Sequence, residues 1–116
     1  MKRQRAERGG RRAEAIAALW LQLKGWSILA RRARTVVGEV DLVARRGRTL
    51  AFVEVKARAS QAEAERALDD YRLRRVAAAA QALAPRYERA GDTLRVDAIF
   101  IVPGRWPRHM EDVWRG

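Results

Sequence analysis

The segment Thr49–Ala57 (TLAFVEVKA) constrains the fold most, because it favours a strand strongly and has only two charged residues, Glu54 and Lys56. Its β-branched and aromatic residues favour extended backbone, and the turn Arg46-Gly47-Arg48 precedes it. Two further segments with strand character come before that turn: Trp26–Ala33 and Val37–Ala44. Three consecutive strands joined by short connections predict an antiparallel meander.

The region before the meander is predicted to be helical. From Arg11 to Lys24 apolar residues recur at the spacing of one helix face, and Gly25 supplies a C-terminal stop. Residues 1–10 contain paired glycines and many basic residues, so we expect a flexible basic arm there. Because no linker or internal repeat follows, residues 11–116 are predicted to form a single domain.

The second half of the chain is predicted to contain a broken helix and one more buried strand. Ser60 and Glu63 resemble a capping box, and the apolar stripes that follow are out of register. We therefore expect a helix break near Asp69-Asp70, with Asp70 as a cap for the second part. Thr93–Val102 is predicted to be an interior strand, and residues 108–114 a short edge strand. This order predicts an α/β (α+β) fold, in which a mixed sheet packs on helices.

A net charge of +11 makes a polyanion the default partner of this chain. The charge is concentrated at Arg31–Arg34, Arg45–Arg48 and Arg72–Arg75, which favours nucleic acid over a merely solvated surface. An anionic membrane is a weaker alternative, because no long helix opposes bulky apolar residues to a basic face. No apolar run reaches the length of a membrane span, and no signal peptide is recognisable, so a cytoplasmic location is expected.

The residue types that are present limit the available chemistry. There is no cysteine and only one histidine, His109, so a thiolate site or a histidine-rich metal site is not expected. Neither serine lies in a nucleophile-elbow context, and no glycine-rich phosphate loop occurs. If the chain is an enzyme, its carboxylates must therefore carry the reaction.

Four charged residues on two neighbouring strands suggest such a carboxylate site. Glu39 and Asp41 are two apart on one predicted strand, and Glu54 and Lys56 are two apart on the next, so each pair should share a face. Two adjacent carboxylates repel, and a hard cation such as Mg²⁺ would relieve that repulsion and activate water. Lys56 could position the water or neutralise charge on phosphorus oxygens. The alternative is a cross-strand ion pair on a half-exposed surface.

The segments GEVDLVA (Gly38–Ala44) and FVEVKAR (Phe52–Arg58) resemble the PD-(D/E)xK nuclease motif. Most of the chain beyond the first ten residues also resembles the YraN family of bacterial endonuclease-like proteins. That resemblance includes the early helix at Arg11–Leu29, the YRLRRVAAAA helix, the RVD triplet at Arg95–Asp97 and the C-terminal HMEDVW. The pair of motif strands is specific, whereas E-x-K alone would be weak.

The resemblance implies a restriction-endonuclease-like fold, similar to that of Holliday-junction resolvases. It implies Asp41 and Glu54 as ligands of Mg²⁺ or Mn²⁺ and Lys56 as the catalytic lysine. Glu14 matches a first-helix acid of related junction resolvases, and it is counted with the catalytic residues. The chain departs from the pattern at Val40, where the motif has proline, and at Arg72, where a lysine is expected. Arginine at that position suits phosphate contact but not proton transfer.

Several assignments stay open at this stage. Glu39 is a third candidate metal ligand, or else the structural partner of an arginine. The arginines predicted to contact nucleic acid are Arg34, Arg58, Arg72 and Arg75. Trp20, Trp26 and Trp106 could stack on bases, although core packing is favoured for Trp20 and Trp26. Arg95 and Asp97 share a strand face, which favours a structural salt bridge.

Three functions are compatible with these observations. The first is a metal-dependent endonuclease that cleaves DNA, with branched DNA as one candidate substrate. The second is a nucleic-acid-binding module without cleavage, and the third is a protein-interaction adaptor whose charge only sets solubility. Symmetric cleavage of a junction would call for a homodimer.

Overall fold

The structure, a computed structural model, describes residues 2–114, and it describes side chains from residue 10 onwards. Three helices and five strands follow one another along the chain. In chain order they are α1 (Lys2–Leu23), β1 (Ser27–Thr35), β2 (Gly38–Arg46), β3 (Thr49–Ala57), α2 (Gln61–Ala67), α3 (Asp70–Tyr87), β4 (Thr93–Ile101) and β5 (Arg108–Met110). No helix in this part of the chain is both long and apolar enough to cross a membrane.

The five strands form one mixed sheet in the order β1-β2-β3-β4-β5. β1, β2 and β3 pair antiparallel, which confirms the predicted meander. β4 pairs parallel with β3, because α2 and α3 return the chain to the same end of the sheet. β5 pairs antiparallel with β4 and forms the second edge of the sheet, opposite β1. The predicted α/β class, a mixed sheet flanked by helices, is confirmed.

Helices cover both faces of this sheet. α1 packs on one face through its buried residues Ala17, Ala18 and Leu21, against Leu42, Ala51, Val53 and other strand residues. α3 packs on the opposite face through Leu73, Val76, Ala79, Ala80 and Leu83, against Val43, Leu50, Phe52 and Val96. α2 adds Ala64 against Ala98 and Phe100. Because both faces are covered, β3 carries the almost uninterrupted apolar run seen in its sequence.

The first helix begins at Lys2, whereas the prediction began it at Arg11 after a flexible arm. The predicted boundary is therefore wrong for the backbone, which is helical from Lys2 onwards. Lysine, arginine, glutamine, alanine and glutamate favour helix, and they outweigh the paired glycines. The side chains of residues 2–9, and Met1 itself, lie outside the described residues.

The helix break is confirmed, but the cap of the second part is Asp69 rather than Asp70. The Asp69 carboxylate accepts a hydrogen bond from the backbone N–H of Arg72 at 2.9 Å. Asp70 occupies the first turn, where a negative charge favours the helix dipole. Ser60 caps α2 as predicted, because its Oγ accepts from the backbone N–H of Glu63 at 3.2 Å.

The last strand spans Arg108–Met110 and is shorter than the predicted 108–114. Asp112 adopts a left-handed backbone conformation with φ of 54°, and its N–H donates to the Asp97 carboxylate at 2.9 Å. The chain therefore leaves the sheet ladder after Met110. Val113 returns to β4 through a single backbone hydrogen bond to Val96, at 2.8 Å.

Two ion pairs with buried carboxylates stabilise the sheet, one beside the Arg46–Arg48 turn and one in the middle of β4. Arg45 donates to both oxygens of Asp92, at 2.8 and 2.7 Å, and this bidentate pair was not predicted. Asp97 is fully buried and accepts from Arg95 at 2.8 Å, which confirms the predicted salt bridge. Asp97 also lies 2.8 Å from His109 Nε2, so it ties β5 to β4.

Candidate functional site

The motif strands β2 and β3 separate at Asp41. Their paired register runs from Arg46 and Thr49 as far as Leu42 and Val53, and then stops. Beyond that point the Asp41 side chain takes the place of a backbone partner. Its Oδ2 accepts a hydrogen bond from the backbone N–H of Val55 at 2.7 Å. Asp41 is thus positioned by the neighbouring strand itself.

The alternation of β2 side chains also changes at this point. Leu42 packs on the α1 face, while Val40 and Val43 both pack on the α3 face. A regular strand would place Val40 and Val43 on opposite faces. Glu39 and Asp41 also line different depressions, although they had been predicted to share one face.

A cavity of about 450 Å³ opens where the two strands separate. Asp41, Glu54 and Lys56 line it from the sheet, and Glu14 lines it from α1. Arg58, at the end of β3, completes its charged lining. The structure therefore brings together the four residues that were predicted to be catalytic, along with one predicted phosphate contact.

The electrostatics of this cavity centre on Asp41. The pKa of Asp41 is raised to about 7, first by burial and next by the negative charge of Glu54. The Val55 hydrogen bond opposes that shift, Glu14 adds to it, and the positive charge of Lys56 opposes it. The site therefore stabilises the ionised form of Asp41 poorly when no further positive charge is present.

Glu54 and Lys56 form an ion pair across the same cavity. Lys56 Nζ lies 2.9 Å from Glu54 Oε1, and the two side chains are only 11% and 12% exposed. They project from the same face of β3, as their spacing predicts. Lys56 lines the cavity and is largely removed from water, so its ammonium group faces the cavity rather than bulk solvent.

Glu14 is held by Arg32, a residue that the sequence did not single out. Arg32 Nε donates to Glu14 Oε2 at 2.7 Å, and this bond raises the pKa of Arg32. Arg32 adopts a left-handed backbone conformation with φ of 51°, which is costly for a non-glycine residue. The only sequence signal was its membership of the Arg31–Arg34 cluster, which does not distinguish it from its neighbours.

Glu39 lies outside the main cavity, in a second depression beside α3. That depression shares Glu54 and Lys56 with the main cavity, so the two adjoin. Glu39 is partly exposed and lies 3.5 Å from Arg34 Nε. The structure thus places Glu39 beside an arginine, and it does not bring Glu39 into the same cavity as Asp41.

The predicted nucleic-acid contacts occupy different places. Arg72 and Arg75 line the second depression, where Arg75 donates to the hydroxyl of Tyr71 at 3.3 Å. Arg58 lines the main cavity, and Arg34 stands on the exposed side of β1. Three of the four arginines therefore surround the Glu54–Lys56 pair.

The residues of the main cavity are compatible with a magnesium ion. Mg²⁺ is normally held by one or two carboxylates, with water and phosphate oxygens as its other ligands. Asp41 and Glu54 supply two carboxylates, and the raised pKa of Asp41 shows that a nearby positive charge would be favourable. Among the side chains described, no group of three or more His, Cys, Asp or Glu residues could hold a metal ion. Any ion here would therefore retain much of its water.

We expect Asp41→Asn to stabilise the protein in a chelator at pH 8. Folding raises the pKa of Asp41 to about 7, so keeping Asp41 ionised in the folded state costs stability. That cost is absent below the unfolded value near 4, grows as the pH rises from there to about 7, and is constant above that. The expected gain is on the order of 2–4 kcal/mol at pH 8, and it should vanish towards pH 4 in urea unfolding. A constant difference across this range would contradict the assigned environment of Asp41.

Comparison of the sequence with those of known proteins shows the family to which the chain belongs. Residues 13–101 match the model described as "Uncharacterised protein family UPF0102". A protein of Erythrobacter litoralis named "UPF0102 protein" is 56% identical over 115 residues, which cover 99% of each chain. Proteins of the same name from Sphingopyxis alaskensis and Rhizorhabdus wittichii are 57% and 56% identical, over 99% of this chain and 99% and 98% of theirs.

Proposed function

The chain belongs to the family UPF0102, and we propose that it is a metal-dependent endonuclease that cleaves phosphodiester bonds of DNA. The predicted YraN resemblance is confirmed as a family relationship. The relatives' names state no activity, so the proposal depends on the cavity. A cytoplasmic location and branched DNA as a substrate are parts of the same proposal.

One observation carries the proposal: Asp41, Glu54 and Lys56 line a single cavity within a strongly basic chain. Two carboxylates close together in a partly buried site destabilise each other's ionised form, as the raised pKa of Asp41 indicates. Carboxylates with such raised pKa values are found preferentially at functional sites. Arg58, Arg72 and Arg75 lie around Glu54 and Lys56, and positive charge of this kind is what binding of a phosphate backbone requires. A merely structural ion pair needs neither Asp41 nor the cavity.

Each residue has a definite part in the proposed reaction. Asp41 and Glu54 would hold the metal ion, which supplies Lewis-acid activation and charge stabilisation when it is bound. Lys56 orients the attacking water and stabilises negative charge on the phosphate oxygens. Arg58 binds a phosphate at the edge of the cavity. Glu14 is a positioning residue, kept beside the cavity by its bond to Arg32.

A non-catalytic nucleic-acid-binding module is the second candidate. One observation favours it: among the described side chains, no three or more His, Cys, Asp or Glu residues are placed so that they could hold a metal ion together. The Lys56–Glu54 ion pair also neutralises part of the site without a metal. In that case the basic surface alone would carry the function, and binding would depend steeply on salt.

Cleavage assays on linear duplex, single-stranded and four-way-junction DNA distinguish the two candidates. The endonuclease requires cleavage with Mg²⁺ or Mn²⁺ and none with EDTA, whereas the binding module gives metal-independent retention without cleavage. If junctions are cut symmetrically, sedimentation should show a homodimer on the DNA. Absence of both cleavage and binding at low salt would reject both candidates.

A further inference from the structure

A second group of chemically distinctive residues lies at the other end of the β2–β3 ladder, near the Arg46–Arg48 turn. Trp20 of α1 and Trp106 of the β4–β5 connection have ring centroids 5.8 Å apart, tilted by 32°. Trp26, just before β1, contacts the ring of His109 edge-on, with centroids 5.9 Å apart. We call Trp20, Trp26, Trp106, Lys24 and Arg46 together the tryptophan surface.

The indole rings of this surface carry cations on their faces. Lys24 Nζ lies 4.7 Å from the centroid of Trp20, and Arg46 Cζ lies 4.8 Å from the centroid of Trp26. Arg46 also donates to the Lys24 carbonyl at 3.3 Å, which helps to hold the guanidinium of Arg46 near the aromatic rings. These contacts prearrange aromatic faces and positive charge at one site.

A cavity of about 350 Å³ opens among these residues. Its cationic lining consists of Lys24, Arg46 and Arg108, and Glu111 is its single acidic residue. Glu111 lies 3.6 Å from Arg95, which offsets its charge. The cavity is therefore positive, and two tryptophans, Trp20 and Trp26, form part of its wall.

The exposure of Trp106 distinguishes this surface from ordinary core packing. Trp106 is 82% exposed, although tryptophan is among the residues that folding most strongly removes from water. Trp26, by contrast, is buried, and the guanidinium of Arg46 lies over its ring. An exposed indole against a second indole, beside three cations, provides a stacking platform next to charges that attract phosphate.

We propose that the tryptophan surface binds unpaired bases of a DNA strand. Base faces are available for stacking only where the strand is not paired, so this surface selects single-stranded segments over duplex. Glu14 and Trp20 are six residues apart on α1, a rise of about 9 Å. The carboxylate cavity and the tryptophan surface are therefore only a short distance apart along the helix axis. The inference rests on the proposed function for its nucleic-acid substrate, and it specifies that this substrate contains an unpaired segment.

Fluorescence titration of the wild-type protein in EDTA tests this proposal without any need for cleavage. Oligo(dT) should quench the tryptophan emission, and a duplex of equal length should quench it much less. Trp106→Ala should weaken oligo(dT) binding about tenfold, as expected for loss of one stacked base. Trp106→Phe keeps an aromatic face and should restore most of the affinity.

A charge-reversal pair separates this surface from the general basic character of the chain. Lys24→Glu should weaken oligo(dT) binding strongly, whereas Arg86→Glu, on the exposed end of α3, changes net charge equally and should have a small effect.

Equal losses of oligo(dT) affinity in Lys24→Glu and Arg86→Glu would overturn the proposal, as would unchanged affinity in Trp106→Ala. A change in sedimentation of Trp106→Ala without a change in DNA binding would also overturn it, because the surface would then join two copies of the chain. Quenching in the absence of any nuclease activity would uphold this surface and reject only the proposed catalysis.

Discussion

Asp41→Asn is expected to lower the rate of metal-dependent DNA cleavage by about a thousandfold or more. The asparagine oxygen can still accept the Val55 N–H, so the strand geometry remains. The negative charge that would hold the metal is lost, however, and metal ions stabilise such reactions by several kcal/mol. Each 1.36 kcal/mol corresponds to a factor of ten in rate. Single-turnover cleavage of a labelled oligonucleotide, at saturating Mg²⁺, measures this loss.

The matched control is Glu65→Gln, which removes one carboxylate charge from the exposed face of α2, where the Glu65 side chain accepts a hydrogen bond from Gln61. Its cleavage rate should stay within about twofold of wild type, as is usual for surface changes. Circular dichroism should show that both variants are folded. Cleavage by Asp41→Asn at the rate of Glu65→Gln would remove Asp41 from the site.

Asp97→Ala is expected to destabilise the protein by about 3–5 kcal/mol, because it breaks a buried ion pair on one side only. Arg95 loses its bidentate partner, and the Asp112 N–H and His109 lose their acceptor. Burial alone would raise the pKa of Asp97, but hydrogen bonds from His109, Arg95 and the Asp112 backbone keep it below its usual range. Urea unfolding at pH 7 measures the change.

Two comparisons control this prediction. Glu111→Ala removes the exposed carboxylate that also faces Arg95, and it should cost less than about 1 kcal/mol. Because folding lowers the pKa of Asp97, its contribution is present above the unfolded value near 4 and decreases as the pH falls further. The difference between wild type and Asp97→Ala should therefore shrink in acid. A difference that grows on acidification would show that Asp97 is not held as its ionised form.

The local patterns predicted much of the fold. The meander followed from short turns and strand-forming segments, and the helix break followed from two apolar stripes that could not share one face. The proximity of Asp41 and Glu54 followed from the hairpin register, since the pairing at Leu42 and Val53 leads directly to them. These features depend on residues close in sequence, where periodicity is informative.

The remaining features depend on contacts that sequence spacing does not show. Arg45 and Asp92 are 47 residues apart, and no periodic pattern links them. Glu39 was grouped with Asp41 because regular alternation along β2 was assumed, but the two carboxylates line different depressions and β2 is not regular where it leaves β3. Arg32 was not identified because its direction depends on a left-handed backbone conformation that an arginine rarely adopts.

Calorimetric titration of Mg²⁺ into wild type and Asp41→Asn, with cleavage assayed on the same samples, tests the central claim most directly. A metal-dependent endonuclease predicts saturable binding and cleavage in wild type and the loss of both in the variant. Identical titrations without binding or cleavage in either protein would contradict the claim, and they would leave the basic surfaces as the carriers of function.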